Sequence, residues 1–170
     1  MDTKKSFTLI ELLLAMALLS ILIVLLLGNF NTTLKRGRDQ QRKNDLSQVQ
    51  KALELYYEEN QSYPAFDVIS PNPSKKLCKS QLCGGGTTES VYMVKTPKDP
   101  SAAYTYKYVY EAVALPSYYY LYSYIENDLD QGSGVSIKGY STGVKCDAAN
   151  STTLCRYYVG SSNAAILTPN

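Results

Sequence analysis

The sequence predicts an α+β protein, in which a long N-terminal helix, hydrophobic over its first half, packs on a small antiparallel β-sheet. Three observations predict this. Residues 7–27 form an apolar run broken only by Thr8, Glu11 and Ser20. Further on, Leu46, Val49, Leu53 and Tyr56 recur at spacings of three, four and three, which puts them on one helical face. Then tyrosines alternate with other residues in "YTYKYVYEAV" and again in "YYYLYSYIEN", the period of a strand. Of the 170 residues, roughly the first 60 read as a helical stem, which leaves about 110 for one small domain with a modest core.

The apolar run begins the chain's organisation. Lys4 and Lys5 give it a basic start, as in a secretory signal, but such a signal has an apolar core of about 7–15 residues and a small-residue cleavage site. Here the run from Phe7 to Leu27 is 21 residues long, and "GNFNTTL" after it has no Ala-x-Ala pattern. At about 1.5 Å per residue it covers about 31 Å, the thickness of a hydrocarbon core of about 30 Å. A plain anchor does not explain Glu11. An acidic side chain costs about 2.5–3.5 kcal/mol at the centre of a span, less near an end, and persists where it has a partner; the alternative is that it snorkels to the interface. Lys35, Arg36, Arg38, Arg42 and Lys43 follow the run, against Lys4 and Lys5 before it. Counting positive charge alone would keep the head in the cytoplasm, although Asp39 and Asp45 dilute the basic stretch.

The second half of the stem, from Lys35, carries the apolar stripe with Gln48, Lys51, Glu54 and Glu58 off it. It ends near Asn60, a C-cap candidate shortly before Pro64. Gly28 and Gly37 are its weak points. "KRGRDQQRK" reads as a solvated helix face rather than a headgroup- or DNA-binding patch. Residues 61–103 read as a connecting region with little regular structure, containing Pro64, Pro71, Pro73 and Gly84-Gly85-Gly86, and "SVYMV" within it as a short helix or strand. From residue 104 the two tyrosine-rich strands form a hairpin through "ALPS", with "GVSIKGYS" and "CRYYVG" as further strands. Ten of the sixteen tyrosines lie between residues 92 and 124, and sheet packing is the reading for them, because tyrosine combines apolar area with a polar tip.

The chemistry available is narrow. There is no histidine, so the commonest general base and metal ligand are missing. No nucleophile–base motif stands out, and an enzyme is not expected. Net charge is +2, and nucleic acid is not an expected partner. Cys78, Cys83, Cys146 and Cys155 form an even set behind a hydrophobic leader, which favours disulfides and an oxidising compartment. Three pairings are open to them; the local one, Cys78 with Cys83 and Cys146 with Cys155, is preferred. No cofactor is expected. Asp128 and Asp130, two apart before Gly132, are a weak calcium candidate that lacks the third ligand and distal glutamate of an EF-hand.

"KKSFTLIELLLAMALLSIL" resembles the class III leader of type IV pilins and type II secretion pseudopilins, matching six residue types in order. The resemblance implies cleavage between Ser6 and Phe7 by a prepilin peptidase at the cytoplasmic face, methylation of the new Phe7 amine, and retention of the apolar segment. The family usually has glycine where Ser6 stands. It also gives Glu11 a role with Phe7 in assembly: the freed amine of Phe7 meets the glutamate of a neighbouring subunit, each charge offsetting the other's cost in lipid. The organisation implied is a leader at 1–6, a transmembrane and assembly half-stem at 7–28, an amphipathic half-stem at 29–60, a connecting αβ loop at 61–103, and a sheet with a disulfide-bounded C-terminal loop at 104–170, the pilin ladle fold.

The same resemblance makes Gly28 a candidate for a break in the stem within a filament and lets the basic helix face pair between subunits. "TPKDPSAAYTY" resembles the Pro-x-Asp-Pro entry into the sheet of major pseudopilins. Calcium binding after the sheet in some pseudopilins is what keeps Asp128 and Asp130 in view. Implied partners are identical subunits in a helical filament, the peptidase, an inner-membrane assembly platform, and membrane lipid before assembly. The implied location is a single-pass inner membrane protein with its head outside the cytoplasm, then a cell-surface filament. A major pseudopilin of a type II secretion system is the alternative, and a membrane-anchored binding domain that never polymerises is the alternative of another class.

Overall fold

The computed structural model describes residues 7–69, 76–79, 83, 90–149 and 152–169, without the side chains of 25–29. Ser6 with the rest of the leader, Pro71, Pro73 and Gly84-Gly85-Gly86 lie outside the described residues. The chain is α+β. Helix α1 (Leu9–Asn60) is followed by β1 (Leu77–Cys78), β2 (Val91–Met93), β3 (Lys107–Tyr110), β4 (Tyr119–Ser123) and β5 (Tyr157–Gly160).

Helix α1 starts with a capping box: the Thr8 hydroxyl accepts from the backbone of Glu11, while the Glu11 carboxylate accepts from the backbone of Thr8. Two orphan donors of the first turn are thereby satisfied. The helix passes through Gly28 and Gly37 unbroken, so the break expected at Gly28 is absent from the single chain. At the other end Gln61 closes it in the left-handed conformation, φ 55°, donating its N–H to Tyr57. This cap needs a residue that tolerates positive φ.

The stripe Leu46, Val49, Leu53 and Tyr56 is buried. It packs on the inner face of an antiparallel sheet ordered β3-β4-β5, with Tyr106, Tyr108, Tyr119 and Leu121 across from it. Burying each Leu or Val contributes roughly 1.5–3 kcal/mol, which fixes the upper stem to the head. The register pairs Tyr110 with Tyr119 and Lys107 with Tyr122, and the turn between the strands is held by Ser117, whose N–H and hydroxyl both donate to Glu111. A second, two-stranded sheet of β1 and β2 makes "SVYMV" a strand and gives the connecting region some regular structure.

Strand β4 is covered on both faces. Behind it, Tyr122 packs with Tyr140 and the Cys146–Cys155 bond, and the C-terminal segment crosses there, the Tyr120 hydroxyl donating to the carbonyl of Ala165 at 2.9 Å. "CRYYVG" supplies β5. "GVSIKGYS" is not a strand: it makes turns with isolated bridges at Val135–Tyr157 and Tyr140–Pro169. The reason is glycine. Gly134 and Gly139 sit at φ 72° and 87°, outside extended space, and a Cβ on Gly139 would stand 2.8 Å from Leu154 Cβ.

Candidate functional site

Two parts of the stem carry the chemistry. The first is its bare lower half. From Phe7 to Val24 every large apolar residue is at least half exposed, from 82% at Phe7 to 52% at Ile23. A soluble monomer rarely shows so long an apolar surface. Its polar members are turned inward on the helix itself: the Ser20 hydroxyl donates to the Ala17 carbonyl at 2.8 Å, and the Glu11 carboxylate accepts from the Thr8 hydroxyl at 2.9 Å and the Thr8 N–H at 3.1 Å. Glu11 and Phe7 therefore lie one turn apart at the exposed end, and in the lone chain Glu11 is occupied by its own helix cap. Among the described residues no helix is long and apolar enough to cross a membrane; the described side chains of the run stop at Val24, short of its end in the sequence at Leu27.

The second part is the junction between stem and head. The basic stretch, expected on a solvated face, is here turned largely into the head. Arg42 is fully buried. Its Nε and Nη2 both donate to Asp99 at 2.9 Å, Nη1 donates to Asp39 at 2.8 Å, and Nη2 lies 2.8 Å from Glu126. Arg38 adds a two-pronged contact to Glu126, with Nε at 2.9 Å. Asp39 in turn accepts the backbone N–H groups of Glu126 and Asn127. Three segments are thus tied by charge-assisted hydrogen bonds, the strong kind. Burial opposes the charge of Arg42, but Asp99, with Glu126 and Asp39, more than offsets it and raises its pKa. The hydrogen bond from Arg38, helped by Arg42 and opposed by burial, holds Glu126 down to about 2.

This anchor was missed in reading the sequence, yet a signal for it exists. Asp39 and Arg42 extend the stripe Leu46, Val49, Leu53 and Tyr56 downward at the same three-four spacing. They are its continuation in charged residues. Asp99, in the middle of the Pro-x-Asp-Pro sequence, is the acid that meets them.

The remaining candidates have structural partners. Asp128 pairs with Arg156 at 2.6 Å and Asp130 with Lys43 at 2.6 Å, so both carboxylates are taken up by cations. Among the described residues no three His, Cys, Asp or Glu side chains are grouped to hold a metal. The cysteines form Cys78–Cys83 and Cys146–Cys155.

Residues 1–27 match the prokaryotic N-terminal methylation motif. That defines the class of the leader: the class III prepilin-like type of type IV pilins and pseudopilins. The likeness to pilins and pseudopilins is thus a likeness of the leader, and a leader of this type implies in general processing by a prepilin peptidase and filament assembly. No curated protein and no solved structure matches the chain.

Proposed function

We propose that this chain is a structural subunit of a type IV pilus-like surface filament, stored in the inner membrane through its stem, cut between Ser6 and Phe7, and polymerised through the same stem. Its action is assembly rather than catalysis, with no cofactor. One observation carries the reading: an intact prepilin-type leader runs directly into a helix whose apolar half the head leaves uncovered. A surface of that kind requires either lipid or other stems around it. Mass spectrometry of the purified mature protein tests the reading. A chain starting at methylated Phe7 is expected; an intact Met1 start would remove it.

A role as major pseudopilin of a type II secretion system is the second reading. It is favoured by "TPKDPSAAY", whose Asp99 locks the head to the stem through Arg42. The two readings differ in filament length, which electron microscopy of sheared cells measures.

A further inference from the structure

We infer that residues Phe30–Arg36 form a collar that holds anionic phospholipid headgroups of the extracytoplasmic leaflet while the subunit is stored in the membrane; this rests on the membrane-stored reading above. The junction sorts the five basic residues that follow the span. Arg38, Arg42 and Lys43 are consumed by Glu126, Asp99, Asp39 and Asp130. Lys35 and Arg36 are exposed, and among the described residues neither has an ion-pair partner. Lys51, also exposed and outside these ion pairs, lies higher on the stem at the level of the head, so Lys35 and Arg36 are the free cations below the first residue that pairs with the head.

Its height along the helix fits that partner. At about 1.5 Å per residue, Lys35 lies about 12 Å beyond Leu27, and the headgroup layer extends about 5–7 Å past the hydrocarbon edge. A lysine or arginine side chain reaches back over the difference, as snorkelling cations do. Between Leu27 and Lys35 the helix exposes Phe30 and Leu34, 59% and 44%. They lie four residues apart and so on one face. An exposed apolar pair immediately below these two cations, on a stretch of helix exposed at every residue from 30 to 37, is the pattern of an interfacial segment. Lys35 and Arg36 point about 100° apart, which would be a poor design for one protein acid but suits headgroups that surround the helix.

The test uses the full-length protein reconstituted in phosphatidylcholine vesicles containing phosphatidylglycerol, with spin-labelled forms of each lipid reporting which one the protein retains. Wild type is expected to prefer phosphatidylglycerol by about five-fold per free cation, a preference that falls with added salt. The double variant Lys35→Gln/Arg36→Gln should lose it, while Lys138→Gln, an exposed lysine on the head, should keep it. Equal selectivity in wild type and double variant overturns the inference. So does loss of selectivity to inorganic phosphate but not to chloride at equal ionic strength, which assigns the cations to a free anion. Filaments lost with lipid selectivity intact would assign them to a neighbouring subunit instead. Protein released from vesicles by carbonate would mark failure of the membrane-stored reading, a result separate from all of these.

Discussion

At the scale of single residues, Arg42 is the most consequential side chain in the head. It sits at zero exposure with three carboxylates around it, a position it can hold because guanidinium offers several donors in a fixed fork. Removing it would strand buried acids, and breaking a buried ion pair from one side costs about 3–5 kcal/mol. Arg42→Ala is therefore expected to destabilise the head by an amount of that order, read as a lower urea midpoint by circular dichroism in detergent. Arg42→Lys should recover only part of the loss, since an ammonium cannot serve Asp99 with two parallel bonds. Full recovery by lysine would show that charge alone matters there.

At the scale of elements, the sheet grips the stem through a row of phenol-to-carboxylate hydrogen bonds. Tyr106 donates to Asp45 at 2.8 Å, Tyr119 and Tyr63 donate to the two oxygens of Glu54 at 3.0 and 2.9 Å, and Tyr92 donates to Glu59 at 2.6 Å. Burial first, and then the adjoining carboxylate, raises the pKa of Tyr106, Tyr63 and Tyr92 above the ordinary value of 10.0; Tyr119 is raised by burial and by the charge of Glu54. Each phenol stays protonated in the folded head while the unfolded chain loses its proton near the ordinary pKa. The stabilisation is thus complete below pH about 10 and is lost as pH rises above it. The head should unfold cooperatively on the alkaline side. Glu54→Gln removes the acceptor of two phenols while burial still keeps them protonated, so the variant starts from lower stability and its transition should move downward in pH; an unmoved transition would discount the Glu54 contribution. The elements themselves were largely legible: the three-four stripe and the alternating tyrosines set α1, β3 and β4 because each has one face to bury. Legibility failed at "GVSIKGYS", where apolar alternation suggested a strand and two positive-φ glycines turned the chain, and at the stem junction, where a charge run looks solvated unless its acids, Asp99 and Glu126, distant in sequence, are known to fold over it.

At the scale of the whole molecule, the head and the bare stem are separate devices on one helix. The bonds from Arg38, Arg42 and Lys43 that tie stem to head lie far above the exposed end, so changes at that end should leave the head intact. Glu11→Leu is expected to keep membrane insertion and a folded head yet lose shear-released filaments by a large factor, counted by immunoblot of the sheared fraction; normal filament yield would remove Glu11 from assembly. The leader and the apolar run were readable because their order of residue types is specific. The intramolecular cap on Glu11 was spelled there as well, since Thr8-Leu9-Ile10-Glu11 has the Thr-x-x-Glu order of a capping box, but the same residues also read as the leader motif. The tyrosines carry a last consequence. The chain has no tryptophan, and its sixteen tyrosines all fall at Tyr56 or later, none of them fully exposed. The bare lower stem is therefore nearly dark in the near ultraviolet, and the intrinsic absorbance and fluorescence of the protein report on the head and on the top of the stem packed into it, where Tyr56 and Tyr57 lie. Unfolding of the head can be followed by light, without a label, while the stem remains in lipid or in a fibre.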